Sequence, residues 1–223
     1  MPHRVEELMY HTVILTSEFQ ARDFIDSHPL ASAKVKSLCL GGTLQLMTAA
    51  RIIELCQSID NLALWVLPEG DMPNVPACLL TALNRLPLSR LSVRLSAIFC
   101  RTATPYLPSI PLFGKVTHLE LLEGWVLFGF PQATGIHQLT QLTHLSLRVV
   151  VHQTAPALLQ MILAECASLE VLVLRVINGV EDIEAWLKVK GLDDPRIMVT
   201  ATDPHNFWDS LTSDNSETTT IAL

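Results

Sequence analysis

The sequence repeats one short pattern of aliphatic residues along most of its length. The pattern is L-x-x-L-x-L with any aliphatic residue allowed at the L positions, as in Val35-x-x-Leu38-x-Leu40. Six copies match this pattern, and two weaker copies flank them, with Tyr10 and Asp194 at the first position. The second aliphatic position of the eight copies falls at residues 13, 38, 62, 91, 119, 145, 172 and 197, in steps of 25, 24, 29, 28, 26, 27 and 25 residues. So regular a spacing over eight copies predicts that each copy is one structural unit stacked on its neighbours.

The alternation of aliphatic and other residues inside each copy is typical of a half-buried β-strand. The step between copies leaves room for a return segment, and several of these segments have helical patterns that begin with Ser17-x-x-Gln20 or an early proline, or end at glycine. The predicted return helices are Ser17 to Ser27, Thr48 to Ser58, Asn74 to Asn84, Thr154 to Cys166 and Glu181 to Lys190. Residues 102–111 and 124–135 are predicted to be irregular, with Trp125, Phe128 and Phe130 filling the space of a helix in the second segment.

Strands joined by helical returns lie parallel, and a step of roughly 20–29 residues is that of the leucine-rich repeat. The sequence therefore predicts an α/β fold, a degenerate leucine-rich-repeat solenoid over residues 1–202. We expect a curved parallel sheet of seven to eight short strands with helices and loops on the convex side. A single buried column is predicted from Leu38, Leu62, Leu91, Leu119, Leu145, Leu172 and Ile197.

The C-terminal residues 203–223 differ from the rest of the chain. They contain four acidic residues, many Ser and Thr, and no Lys or Arg. We expect Phe207, Trp208 and Leu211 to form a partial cap on the last repeat, and residues from about 213 onward to be disordered. The N-terminal edge, by contrast, is expected to be poorly covered, because few residues precede Val13.

Composition narrows the classes of function. A net charge of −7 argues against a general nucleic-acid binder, so nucleic acid is an unlikely partner. No apolar run reaches the roughly 18 residues of a membrane span, and no apolar segment of a secretory signal follows the N-terminus. Five cysteines without CxxC spacing are expected to be reduced, buried thiols. These features favour an intracellular protein, cytoplasmic or nuclear.

Residues that alternate with the predicted column should face the concave side, where this repeat binds partners. Five of the ten arginines fall there with only one carboxylate, although random scatter of surface arginines would give a similar pattern. The apolar anchors among these residues are Trp65, Leu122, Val171 and Val173. Arginine suits capture of carboxylate or phosphate, so the predicted partner is an acidic or phosphorylated protein segment. The candidate partner-binding residues are Trp65, Arg90, Arg94, His118, Glu120, Leu122, His144, Arg148, Arg175 and Arg196.

Catalytic motifs are lacking, since neither G-x-S-x-G, HExxH nor a phosphate-binding glycine loop occurs. The alternative to a binding module is a metal-dependent enzyme that uses His118, Glu120 and His144, which stand at equal places in two consecutive repeats. Two histidines and a carboxylate can bind a metal. The competing interpretation is a histidine ladder with Glu120 paired to a nearby arginine. We favour that interpretation, which predicts no cofactor and no catalytic residue.

The first forty residues carry a family resemblance. Leu8, Tyr10, Thr12, Val13 and Leu15 match one strand pattern, and Val35, Lys36, Leu38 and Leu40 match a second. In these residues the chain resembles the leucine-rich-repeat-like region of fungal F-box proteins. The resemblance implies substrate recognition for a ubiquitin ligase. The F-box itself is missing apart from Val5 to Met9, so the chain is expected to hold a substrate without docking on the ligase adaptor.

Overall fold

A computed structural model describes residues 11–27, 32–66, 77–99, 104–124, 131–150, 154–176 and 179–201. Eight strands form one sheet in chain order, and the pairings within it are parallel. The strands are β1 (Thr12–Leu15), β2 (Ser37–Leu40), β3 (Asn61–Leu64), β4 (Arg90–Val93), β5 (His118–Gly124), β6 (His144–Arg148), β7 (Val171–Val176) and β8 (Ile197–Ala201). The predicted α/β fold with a parallel sheet of eight short strands is confirmed.

Helices connect the strands, and most lie where the sequence predicts them. They are α1 (Glu18–Ser27), α2 (Leu46–Leu55), α3 (Ala77–Arg85), α4 (Leu95–Ile98), α5 (Pro131–Thr134), α6 (Pro156–Glu165) and α7 (Val180–Val189). Short 3-10 turns occupy Ser32–Lys34, Leu107–Ser109, Pro111–Gly114 and Ile136–Gln138. The one-turn helices α4 and α5 were not predicted. Trp125, Phe128 and Phe130, and the predicted C-terminal cap and tail, lie outside the described residues.

The start of α1 is close to the predicted capping box but differs in one bond. The Ser17 hydroxyl accepts a hydrogen bond from the Gln20 backbone N–H at 3.3 Å, as expected for an N-cap residue. The Gln20 side-chain oxygen, however, accepts from the backbone N–H of Thr16 at 2.9 Å, one residue before the position that a capping box uses. The helix is therefore capped from two consecutive residues, Thr16 and Ser17.

The chain divides into two compact units at residue 100. In the first unit, the parallel register pairs Val13 with Leu38, Leu38 with Leu62, and Leu62 with Leu91. Leu38, Leu62 and Leu91 are fully buried, whereas Val13 on the first strand is half-buried. The following residue, Ile14, is exposed. The predicted stacking of aliphatic residues is thus present in this unit and weakens at its first strand.

The second unit repeats the same register. Leu119 pairs with Leu145, Leu145 with Leu172, and Leu172 with Ile197. The three leucines are buried, but Ile197 is half-buried, which corrects the prediction that it belongs to the buried column. Ile197 lies on β8, the last strand in the order of the sheet, so only β7 pairs with it among the described strands.

Candidate functional site

The candidate residues alternate in sequence with the buried leucines, and we call the surface that they are predicted to form the strand face. The sequence predicts it to be open to a partner. The structure corrects this in part, because Ser92, Glu120, Leu122, Ser146 and Arg175 are all buried. Much of the strand face is therefore covered by other residues of the protein.

In the first unit, Trp65 covers part of the strand face. Its side chain is half-buried and packs against a small buried cluster of Cys39 and Ala63. Its indole N–H donates to the hydroxyl of Ser92 on β4 at 2.8 Å. Trp65 was predicted to be an anchor for a partner, but these contacts tie the indole to three strands of its own unit.

Arg90 and Arg94 mark the two ends of β4, and both are half-buried. The Arg94 backbone caps α4, since the Ala97 N–H donates to the Arg94 carbonyl at 3.0 Å. The Nε atom of Arg94 is buried, and it makes no hydrogen bond. Within the described part of the chain, no carboxylate lies within ion-pair distance of Arg94. Arg94 thus has a positive charge that the described residues of its unit do not neutralise.

In the second unit, Glu120 and Arg175 form a buried ion pair. Glu120 on β5 is 1% exposed and Arg175 on β7 is 5% exposed, and the Arg175 Nη1 lies 2.7 Å from the Glu120 Oε1. This contact acts through charge, because its angles are not those of a hydrogen bond. Both residues were predicted to lie on an exposed, partner-binding surface, and the structure shows instead that both are buried and in contact with each other. The arginine neutralises the only carboxylate of the predicted set, in agreement with the interpretation in which Glu120 pairs with an arginine.

The Arg175 side chain reaches over the intervening strand β6. Its Nη2 donates to the Leu121 carbonyl at 2.9 Å, next to the place where the β5–β6 register shifts between Leu121 and Gly124. Carbonyls at such an irregularity lose their regular ladder partners, and the guanidinium supplies a donor. Ser146 on β6 is in register with Glu120, and its buried hydroxyl makes no hydrogen bond. A small side chain at this position leaves room for Arg175 to cross.

Two histidines beside this ion pair form a stacked pair. The rings of His118 and His144 have centroids 4.0 Å apart and planes inclined by 11°. The Thr143 hydroxyl donates to the Thr117 carbonyl at 3.1 Å, so its oxygen accepts from the Nδ1–H of His144 at 2.8 Å. The Thr117 hydroxyl lies in the same way 2.9 Å from the Nδ1 of His118. The repeated Thr-His sequence therefore fixes both ring orientations.

This geometry does not assemble the predicted metal site. The two ring planes are nearly parallel, so their nitrogens point along parallel planes, whereas two ligands of one ion must converge on it. Glu120 is engaged by Arg175. Among the described residues, no group of three or more His, Cys, Asp or Glu side chains could hold a metal ion. In the described structure, His118, Glu120 and His144 are thus not arranged as ligands of one metal ion.

Arg148 is the remaining arginine on the strand face of this unit. It ends β6 in register with Arg175 on β7, and it is half-buried. No carboxylate and no hydrogen-bond acceptor among the described residues contacts its guanidinium. Because Glu120 already neutralises Arg175, Arg148 leaves a net positive charge among the described side chains at this end of β6.

Arg196 was predicted to be on the same surface, but the structure ties it to a local acid. Its Nε and Nη2 donate to the two carboxylate oxygens of Asp194 at 2.9 and 2.8 Å, and Nη2 also donates to the Leu163 carbonyl of α6 at 2.9 Å. These bonds lower the pKa of Asp194 to about 2, with the side-chain hydrogen bond from Arg196 as the largest cause. Arg196 therefore pairs with Asp194 and links the start of β8 to α6.

The Asp194 carboxylate is expected to add stability that depends on pH. A carboxyl whose pKa is lowered by folding stabilises the protein above its unfolded pKa of about 3.9, and this contribution is lost as the pH falls through about 2. Since the two side chains are 25% and 30% exposed, solvent screening limits the effect to below about 1 kcal/mol. The difference in unfolding free energy between the wild type and Asp194→Asn should be positive near neutral pH and shrink towards about pH 2. A difference that grows on acidification would contradict the assignment.

Four of the five cysteines lie in the part of the chain that the structure describes. Cys39, Cys56 and Cys166 are buried and Cys78 is half-buried, and all four are free thiols. Burial raises the pKa of Cys56 to about 12 and that of Cys166 to about 11. These two thiols therefore stay protonated and unreactive at neutral pH. Cys100 lies outside the described residues.

Comparisons with protein-family models, with curated proteins and with solved structures give no match for this chain. Within the described ranges, no helix combines the length and apolar character that crossing a membrane requires.

Proposed function

We propose that this chain is a degenerate leucine-rich-repeat solenoid that acts as a non-catalytic protein-interaction module. The constant register of the aliphatic residues within each unit supports this repeat. Equivalent aliphatic residues of neighbouring strands pair with each other, and their spacing in sequence is that of a leucine-rich repeat. The proposed partner is an acidic or phosphorylated segment of another protein. Its resemblance to fungal F-box proteins implies that this partner would be a substrate of a ubiquitin ligase.

One observation carries the proposal: Arg148 places on the strand face a positive charge that the described residues do not neutralise. A guanidinium binds a carboxylate or a phosphate through two parallel hydrogen bonds, which a neutral side chain cannot offer. Arg94 presents the same feature in the first unit, where its Nε also makes no hydrogen bond. Of the predicted set, these two arginines therefore remain the best candidates for binding an anionic group.

The proposal predicts that removing the charge of Arg148 weakens binding of anionic peptides. The probe is a set of immobilised peptides of otherwise random sequence with a central phosphoserine, a central Glu or a central Ser. The full chain should prefer the first two sets, with an affinity that falls as salt is raised. Arg148→Gln should weaken that binding at least about tenfold, and Arg94→Gln combined with Arg148→Gln should weaken it further.

Lys188→Gln is the matched control, because Lys188 is an exposed cation on α7 of the same unit. It removes one positive charge and should leave binding unchanged. The unfolding transition of each variant is measured first, since both arginines are half-buried. Equal binding of the three peptide sets, or unchanged affinity and salt dependence in the folded double variant, would refute the proposal.

A further inference from the structure

Four polar side chains from three segments of the second unit form a continuous chain of contacts. The Tyr106 hydroxyl donates to the Oε1 of Gln138 at 2.5 Å, and the Nε2 of Gln138 lies 3.2 Å from the Nε2 of His137. The other ring nitrogen of His137, Nδ1, lies 3.8 Å from the Oε2 of Glu165. This series of contacts runs from the exposed Tyr106 to the half-exposed carboxylate of Glu165, and the ring of His137 between them is largely buried.

The backbone holds the tyrosine in place for this contact. Gly135 precedes the 3-10 turn Ile136–Gln138 and has a φ of +68°. A Cβ at Gly135 would lie only 2.5 Å from the Cε2 of Tyr106 and 2.8 Å from Pro108, so the ring packs directly on the glycine backbone. The Gln138 backbone N–H donates to the Gly135 carbonyl at 2.9 Å. This bond holds Gln138 where its side-chain amide reaches the Tyr106 hydroxyl. The tyrosine and the glutamine are thus positioned together.

The direction of the hydrogen bonds follows from the chemistry of the amide. A glutamine side chain accepts at its oxygen and donates at its nitrogen. Because Oε1 faces the Tyr106 hydroxyl, Nε2 faces His137, and the Nε2 of His137 must accept. The neutral ring therefore carries its proton on Nδ1, which faces the Glu165 carboxylate. That carboxylate favours the Nδ1–H tautomer by charge.

Protonation of His137 reverses this order. A proton on the Nε2 of His137 meets the Gln138 NH₂ group, and two donors repel each other. The amide has to turn over, so that its oxygen accepts from His137 and its nitrogen donates to the Tyr106 oxygen. The Tyr106 hydroxyl keeps its proton, and its O–H bond turns towards solvent, where it can donate.

We propose that Gln138 couples the protonation state of His137 to the hydrogen-bonding character of the exposed Tyr106 hydroxyl, which offers a lone pair when His137 is neutral and a proton when it is charged. The inference is independent of the proposed function. Of the elements packed against the turn Ile136–Gln138, α6 brings Glu165 as its only titratable residue, while α5 and the turn Leu107–Ser109 bring none. Cys166, directly after α6, stays protonated, because burial raises its pKa to about 11.

The test is an NMR titration of the full chain with ¹⁵N-labelled histidine and ¹³Cζ-labelled tyrosine. The chain has two tyrosines, so Tyr106→Phe assigns the signal. We expect the neutral His137 ring to carry its proton on Nδ1. The Tyr106 signal and the Gln138 side-chain amide signals should then shift in step with the protonation of His137.

Two variants separate coupling through the amide from a direct effect of charge. Gln138→Leu keeps the histidine charge and removes the amide, and Gln138 is exposed, so the fold should tolerate it. In this variant the Tyr106 signal should no longer follow His137. Glu165→Gln removes the charge that favours Nδ1–H, so part of the Tyr106 signal should already move towards its acid position at neutral pH. A Tyr106 signal that still follows His137 in Gln138→Leu, or a neutral ring with its proton on Nε2, would overturn the proposal.

Discussion

Removing the charge of either partner of the buried ion pair, as in Glu120→Gln or Arg175→Met, is expected to lower the free energy of unfolding by about 3–5 kcal/mol. Both side chains are almost completely buried, so removing one leaves the other charge without its partner and without water. Arg175→Met also removes the donor to the Leu121 carbonyl. The loss is measured by chemical denaturation of each variant against the wild type.

The double variant Glu120→Leu with Arg175→Met should be more stable than either single variant. Replacing a whole buried ion pair with apolar side chains leaves no uncompensated charge behind, and such replacements are often neutral or stabilising. The matched control is Arg148→Met, since Arg148 is in register with Arg175 but contacts no carboxylate among the described residues. It should change stability by less than about 1 kcal/mol. If the single variants at Glu120 and Arg175 lose no more unfolding free energy than this control, the ion pair is open to water.

The second large effect is expected at the buried leucines, where Leu119→Ala should cost about 2–5 kcal/mol. Leu119 is buried and lies in register with Leu145 on the next strand, so the variant leaves a cavity between neighbouring strands. The measurement is again the change in unfolding free energy. Its value within that range depends on how far β5 and β6 can close the cavity.

Leu55→Ala is the control with the same change of side chain. Leu55 ends α2 and is 38% exposed, so its truncation removes fewer packing contacts. It should cost clearly less than Leu119→Ala. Similar losses in the two variants would mean that burial does not determine the contribution of these leucines, which would contradict the packing derived from the register.

The elements of the fold could be predicted because their causes are local. The alternation in Val116-x-x-Leu119-x-Leu121 specifies a strand by itself, and the distance to the next copy leaves room for the return segment. Pro156 similarly marks the first turn of α6. The short helix α4 escaped prediction, since a single helical turn is too short to show a helical period.

The candidate surface was less predictable, because the burial of a polar residue depends on neighbours that are distant in sequence. Alternation placed Glu120 and Arg175 on the strand face correctly, yet it carried no information on whether they contact each other across β6. That contact joins β5 to β7, and Ser146 lies on the strand between them, in register with Glu120. Arg196 was assigned to an open surface for a related reason, since Asp194 and the Leu163 carbonyl engage it only in the folded chain.

The reach of Arg175 over β6 bears on how this part of the chain folds. In a solenoid, each repeat contacts only its neighbours, so folding can begin in one place and spread. The hydrogen bond from Arg175 to Leu121 instead closes a segment of 54 residues and needs β5, β6 and β7 already aligned. Because closing so long a segment costs entropy, we expect this contact to form after the barrier to folding has been crossed. The pair should then slow unfolding without speeding folding.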